Sequence, residues 1–328
     1  MKSIKKTLLA TILGASVLAL TGCNDTSQDA QNKSEQYEGK FVCESEYVAY
    51  VTDNNEIQIA YQDGTTAVVK DVNNVTKISG GESELIALDK DGNIIFCSVK
   101  DAKRIDNVSD YFEIDTADFE LGGTMLAIDK AWNEGLAACD NIKKIIMDCS
   151  DEKKYYYAED NANNIMCDGC NWPDAVKSEC TNWNELSDFT SNGQDALGLK
   201  DNGDIVTTST DVKDDIESWT DITDIESGFH FFGLKKDGTV LSSAYEPECL
   251  VSDWEDITQL SAAVNTTVGL KSDGTVNVAC AIETNQADAT QWENIVYVKA
   301  AYDYVLGVKE NGEIITTPLQ EGGFNFDE

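Results

Sequence analysis

The chain has 328 residues, and its 60 acidic and 24 basic side chains give a formal net charge of -36. A surface this acidic repels nucleic acid and anionic lipid headgroups, and a single arginine, Arg104, leaves almost no bidentate phosphate reader. We therefore expect no nucleic-acid partner. The only histidine, His230, excludes a metal site or a catalytic site that needs several histidines.

The first 22 residues are typical of an export signal. Three lysines in the first six residues precede an apolar run of 13 residues, Leu8–Leu20. This run is too short to span a bilayer. It ends in the tetrapeptide Leu-Thr-Gly-Cys, which resembles the lipobox of bacterial lipoproteins and has its cysteine at Cys23.

The lipobox resemblance implies removal of residues 1–22 and attachment of a diacylglyceryl group to the Cys23 sulfur. Two or more acyl chains anchor a protein stably, so we expect an extracytoplasmic protein that is lipid-anchored to the bacterial cell membrane or outer surface. The alternative is an ordinary secretory cleavage site that happens to precede a cysteine. Loss of the three signal-peptide lysines takes the charge from -36 to -39.

Residues 23–38 contain almost nothing apolar, so we expect a flexible tether that begins at Cys23. The remaining segment, 39–328, is long enough for one large β domain and does not require a second.

The C-terminal half of the chain is an internal repeat. Each unit starts at a tryptophan and ends at an Asp-Gly or Asn-Gly turn, and successive turn glycines are 35, 36 and 38 residues apart. The tryptophans are Trp183, Trp219, Trp254 and Trp292, and the turn glycines are Gly203, Gly238, Gly274 and Gly312. Such dipeptides supply the positive φ of tight hairpins, and strands of about five residues between them indicate an all-β fold.

Weaker copies of the unit occur upstream, at residues 41–59, 75–92, 111–128 and 142–166. The eight hairpin units predict a β-propeller of seven or eight short blades. The first and last units could share a blade, since ring closure removes exposed strand edges.

Each unit repeats one string: an apolar residue, two spacers, an apolar residue, a small residue with Gly, a variable pair, and then apolar-small-Leu-Lys-x-Asp-Gly-x-Val. This string resembles the repeat of the regulator-of-chromosome-condensation superfamily. The resemblance is strong from Trp183 to Thr317 and looser before that. It implies a propeller fold. The units are shorter than the eukaryotic repeat, and the stretch from Cys139 to Cys180 is irregular.

Few residues predict chemistry. His230 occupies a variable pair, and the turns at Gly92 and Gly238 lack the bidentate glutamate of a calcium loop, so we expect no metal and no cofactor. Nine cysteines follow Cys23, and in an exported chain they normally pair. Metal binding by the cysteines around the C-x-x-C at Cys167 is the alternative, and the disulfide connectivity is left open.

The variable pair after each small-Gly element is the candidate binding face, because it differs between repeats while its flanks stay constant. We expect these positions to ring the central opening and to contact an envelope protein or a glycan, with free drift of loop residues as the alternative. The candidates are Glu82, Glu84, Gln194, Asp195, Phe229, His230, Asn265, Tyr302 and Asp303.

Other function classes stay open. A hydrolase that acts on polysaccharide would need two convergent carboxylates with separated pKa values. Some secreted members of the resembled superfamily inhibit β-lactamases, so an enzyme inhibitor is a further alternative.

Overall fold

The protein is seen here as a computed structural model, which describes residues 26–81, 84–106, 135, 142–148, 154–169, 172–280, 285–319 and 322–326. The proposed signal peptide, Cys23 and the predicted hairpin at 111–128 lie outside the described residues. None of the helices in the described ranges has the length and apolar character needed to cross a membrane.

The described strands form seven antiparallel sheets, each made of consecutive strands, which we call blades 1–7. Blade 1 contains β1 (Phe41–Cys43), β2 (Tyr47–Val51), β3 (Ile57–Tyr61) and β4 (Thr66–Val68). Blade 2 contains β5 (Val75–Gly80), β6 (Glu84–Asp89), β7 (Ile94–Ser98) and β8 (Lys103–Ile105). Blade 3 contains β9 (Ile142–Asp148), β10 (Tyr155–Asp160) and β11 (Ile165–Gly169).

The four Trp-containing repeats form the remaining blades. Blade 4 contains β12 (Leu186–Ser191), β13 (Ala196–Lys200) and β14 (Ile205–Thr207), and blade 5 contains β15 (Ile222–Ser227), β16 (Phe231–Lys235) and β17 (Val240–Ser242). Blade 6 contains β18 (Ile257–Ala263), β19 (Thr266–Lys271) and β20 (Val276–Cys280), and blade 7 contains β21 (Ile295–Ala300), β22 (Val305–Lys309) and β23 (Ile314–Thr316).

The blades form a closed ring. The first strand of each blade lies innermost, and each inner strand contacts the next one, including β5 with β9 and β21 with β1. The core of the described chain consists of seven apolar clusters, one between each pair of neighbouring blades. The predicted all-β propeller is confirmed. Its ring closes by packing of β1 against β21, and no blade is shared between the first and last described units.

Tryptophan packing explains the repeat. The second strand carries a glycine, and a Cβ built on Gly233, Gly269 or Gly307 would lie 2.7–2.9 Å from the indole of the unit's own tryptophan. A larger residue there would displace the tryptophan from the space between blades, so the pairing of Trp and Gly in these three units is a packing requirement. The turn glycines have φ between +81° and +87°, as the Asp-Gly and Asn-Gly hairpins predict.

Among the described residues, and apart from the single helical residue Gly135, helix is confined to short connections and to one helix that precedes blade 1. The helices are α1 (Thr26–Glu35), α2 (Asp174–Cys180) and α3 (Lys213–Ile216), and the 3-10 segments are Pro247–Cys249 and Asn285–Gln291.

The expected flexible tether is wrong for residues 26–35, because these residues form α1. This helix contacts β18 and β21. The Lys33 ammonium lies 2.7 Å from the Glu310 carboxylate, and Ser34 is buried. The composition predicts disorder because the segment has little apolar surface. The helix forms because polar contacts and small residues hold it against one end of the ring.

Candidate functional site

The loops that join the first and second strands of the blades lie on one rim of the ring, which we call the loop rim. They follow the C-terminal ends of the inner strands, and neighbouring loops are linked: the Asn192 side-chain amide donates a hydrogen bond of 3.1 Å to the Phe229 carbonyl oxygen. Deeper along the inner strands, the Ser227 hydroxyl donates to the Ser191 carbonyl oxygen at 2.7 Å. The strands beneath the loops are therefore tied blade to blade, which holds the loops on a rigid support.

Two of the candidate binding residues are aromatic and exposed. Phe229 and Tyr302 have exposed fractions of 58% and 55%. Gln194 is exposed, whereas Asp195 and Asn265 are half-buried. Among these five candidates, Phe229, Tyr302 and Gln194 are the exposed side chains.

The remaining candidates differ from that expectation. Glu82 lies outside the described residues. Glu84 is buried, and its carboxylate lies 3.2 Å from the equally buried Lys154 ammonium, so it joins blade 2 to blade 3 instead of facing a ligand. Asp303 is half-buried, and burial raises the pKa of its carboxyl.

His230 is brought next to residues that the sequence analysis did not select. Its Nε2 lies 3.6 Å from Glu246 Oε2 and 4.0 Å from Glu248 Oε1, in the connection between β17 and β18. Tyr245, in the same connection, has an exposed fraction of 95%. No periodic signal marks this connection. Its sequence signal is a polar Glu-Pro-Glu segment between Tyr245 and the apolar Leu250, which interrupts the repeat.

A central channel runs through the ring from α1 to the loop rim. Its cavity volume is about 710 Å³, and its lining extends from Gln31 of α1 to Tyr302 of the rim. A one-residue bulge near the start of five inner strands aligns equivalent positions. As a result Lys77, Asp188 and Asp224, at equivalent positions of different blades, all line the channel.

Asp188 and Asp224 form a carboxyl pair in the channel wall. Burial raises the pKa of Asp188 to about 6, and its side chain is hydrogen-bonded to Asp224. Burial, followed by the negative charges of Asp188 and Glu226, raises the pKa of Asp224 well above its ordinary value. Two such groups cannot both ionise cheaply, so the pair shares a proton.

The described cysteines are thiols. Cys43, Cys97, Cys167, Cys180, Cys249 and Cys280 are all unpaired, so the disulfides expected of an exported chain are not formed among these residues. Cys167 and Cys180 nevertheless belong to the same core cluster between blades 3 and 4, and the neighbouring Cys167, followed by burial, raises the pKa of the Cys180 thiol.

No protein-family model matches the chain, and no curated protein matches it. Solved structures do. Prp20p from Saccharomyces cerevisiae is similar with a TM-score of 0.52 and 13% identity, over 88% of this chain and 83% of Prp20p. A structure of yeast RCC1 (Prp20) bound to Kap60 matches with a TM-score of 0.48 and 12% identity, over 93% of this chain and 85% of the other.

PorZ, a bacterial surface component of the type-IX secretion system of Porphyromonas gingivalis, matches with a TM-score of 0.44 and 13% identity. The match covers 88% of this chain but only 37% of PorZ. At these identities a likeness concerns the fold and not the ligand. The closed ring of blades and the likeness to Prp20p together show that this chain has a β-propeller fold similar to that of Prp20p.

Proposed function

We propose that this protein is a non-catalytic binding module outside the cell, anchored through a lipid on Cys23, and that its loop rim binds an envelope protein or a glycan. One observation supports the binding face above others. Five large apolar side chains are exposed in the described part of the chain, and four of them belong to the loop rim or to the connection that contacts it: Phe229, Tyr245, Leu250 and Tyr302. Exposed aromatic residues beside polar groups are frequent anchors of interfaces.

The position of α1 supports an orientation for the anchored protein. The helix contacts the turn that contains Glu310, which lies at the end of the ring where the inner strands begin. The loop rim lies at their other end. Since Cys23 precedes the first residue of α1 by only three positions, a lipid on Cys23 places the α1 end of the ring toward the membrane and the loop rim away from it.

The binding proposal is tested by capture with the full-length protein. Replacing Phe229, Tyr245 and Tyr302 together with alanine should abolish capture of the envelope partner or the purified wall glycan and leave the melting temperature close to that of the wild type. Val68→Ala is the matched control, because Val68 is 50% exposed but lies on β4, the outermost strand of blade 1. Equal capture by the triple variant and the wild type would show that the loop rim is not the binding face.

The anchor is tested separately. Cys23→Ala should move the protein from the membrane fraction to the soluble fraction. For the orientation, an epitope inserted beside Gly193 in the loop rim should bind antibody on intact outward-facing membranes, and the same epitope in the turn at Gly312 should bind poorly. The soluble Cys23→Ala protein is the control, in which both epitopes should bind antibody equally. Equal antibody binding at both positions in membranes as well would contradict the orientation.

A hydrolase is the second candidate, because the channel contains the partly protonated Asp188–Asp224 pair. Glycosidases that retain configuration hold their carboxyl groups about 5–5.5 Å apart, and inverting enzymes hold them farther apart. The Asp188 and Asp224 carboxyl groups are hydrogen-bonded to each other, so the distance between them is shorter than in either class of glycosidase. The hydrolase would be favoured if the protein released reducing sugar from envelope polysaccharide, and if Asp188→Asn abolished this release and left ligand capture unchanged.

A further inference from the structure

We propose that His230, Glu248 and Cys249 bind a borderline divalent cation, best represented by Zn²⁺, beside the loop rim. One donor atom from each of the three residues lies within 4.8 Å of the other two. The donors come from two segments, the loop between β15 and β16 and the 3-10 segment Pro247–Cys249. Their meeting is therefore a product of the fold and not of neighbouring sequence.

A second observation points to a missing partner at the same place. Glu248 is only 6% exposed, and its Oε2 atom is buried without a hydrogen bond. Its other oxygen, Oε1, lies 4.0 Å from His230 Nε2, too far for a hydrogen bond. A buried carboxylate oxygen without a donor is unfavourable, and a cation between it and the neighbouring imidazole and thiol would satisfy it.

The donor types select the kind of metal. An imidazole nitrogen, a thiolate and a carboxylate form a mixed set that suits zinc, whereas calcium and magnesium prefer oxygen donors alone. Bonds in tetrahedral zinc sites are about 2.0–2.3 Å long, so neighbouring donors lie about 3.3–3.8 Å apart. The donors here need to approach by about 1 Å, which small side-chain rotations supply.

Glu246 lies beside His230 but outside the 4.8 Å group, and it would supply the fourth ligand by rotating toward the other donors. Its Oε2 lies 3.6 Å from His230 Nε2 and accepts a hydrogen bond of 3.0 Å from the Tyr245 backbone N–H. The Cys249 backbone N–H donates to the Glu246 carbonyl oxygen at 2.8 Å, which holds both residues in one tight turn. On binding, Cys249 releases its proton to solvent and coordinates as the thiolate, while His230 coordinates as the neutral imidazole.

The metal would fasten the connection that carries Tyr245 to the loop that carries Phe229. The two aromatic side chains would then hold fixed positions relative to each other. The site itself is argued from its donors and does not depend on the binding role of the loop rim.

Zinc binding is tested on the full-length protein, reduced and stripped of metal, by equilibrium dialysis and by titration calorimetry with Zn²⁺. Because other cysteines can also bind zinc, the readout is a difference. Glu248→Gln and Cys249→Ser should each bind one Zn²⁺ per chain fewer than the wild type. Cys280→Ser is the matched control, since it removes another free cysteine, on β20, and should leave the stoichiometry unchanged.

Two further measurements separate binding from misfolding. Without metal, Glu248→Gln should melt at or above the wild-type temperature, because it removes a buried unpartnered charge, and added Zn²⁺ should raise the melting temperature of the wild type more than that of Glu248→Gln. Co²⁺ should give a thiolate charge-transfer band that Cys249→Ser weakens and Cys280→Ser does not. Unchanged stoichiometry in both ligand variants, or a Co²⁺ band that is insensitive to Cys249→Ser, would overturn the proposal.

Discussion

The Cys167 and Cys180 thiols should form a disulfide under oxidising conditions. The two thiols are neighbours, since Cys167 raises the pKa of Cys180, and both residues are buried in the core between blades 3 and 4. Cys167 lies on β11, and Cys180 is the last residue of α2. Oxidation would therefore lock α2 onto blade 3 without moving either element far.

The size of the effect follows from the loop that the bond closes. The segment from Cys167 to Cys180 contains 14 residues. The chain-entropy relation for a loop of this size gives a stabilisation of about 3 kcal/mol at 25 °C. For a domain of this size, that corresponds to a rise in the melting temperature on the order of 5–10 °C.

The assay compares oxidised and reduced protein by denaturant unfolding. Reductant should lower the free energy of unfolding of the wild type and have a much smaller effect on Cys180→Ser. Comparing each protein with itself removes the cost of the buried serine. A peptide map of unreduced exported protein that shows Cys167 and Cys180 as free thiols would refute the reasoning, as would an equal response of both proteins to reductant.

Three other predictions concern stability. Asp188→Asn should stabilise the protein at pH 7–8 and have little effect near pH 4. Because the pKa of Asp188 is raised, the stability that its carboxyl contributes is fully present below pH 4 and is lost as pH rises through about 6. The loss is about 1–3 kcal/mol, and thermal melts across that pH range measure it. Gly228→Ala should cost about 3 kcal/mol, because its Cβ would lie 2.2 Å from the Ala263 carbonyl oxygen of the next blade. Gly312→Ala, with φ +82° and no atom within 4 Å, should cost about 1 kcal/mol by denaturant unfolding.

The sequence predicts the propeller because the information for each blade is local. The Trp-to-Gly spacing, the Asp-Gly turns and the five-residue strands all lie within one repeat, and each is a direct requirement of a three-stranded blade. Phe229 and Tyr302 were predicted as loop residues for the same reason, and both are exposed, whereas Glu84, another of the variable positions, is buried.

The failures concern contacts between distant parts of the chain. Glu84 resembles the other variable positions in sequence, but its burial depends on Lys154, 70 residues away. His230 meets Glu248 only because the connection after β17 turns back toward the loop rim. Such pairings leave no periodic trace, because each joins one residue of a repeat to a residue that has no counterpart in the other repeats.

Closure of the ring requires contacts between the first and last blades that the repeat alone does not provide. The first and last blades share no strand, so no backbone ladder joins them. Aromatic side chains join them instead: the rings of Phe41 and Tyr297 are stacked at 5.5 Å, and the Tyr304 hydroxyl donates a hydrogen bond of 3.1 Å to the Glu44 carbonyl oxygen. Phe324, beyond the last strand, packs on Tyr304 with ring centroids 5.2 Å apart. Phe41, Tyr297 and Tyr304 belong to the first and last blades, whereas Phe324 follows the last repeat, so a segment that flanks the propeller adds to the packing where the ring closes.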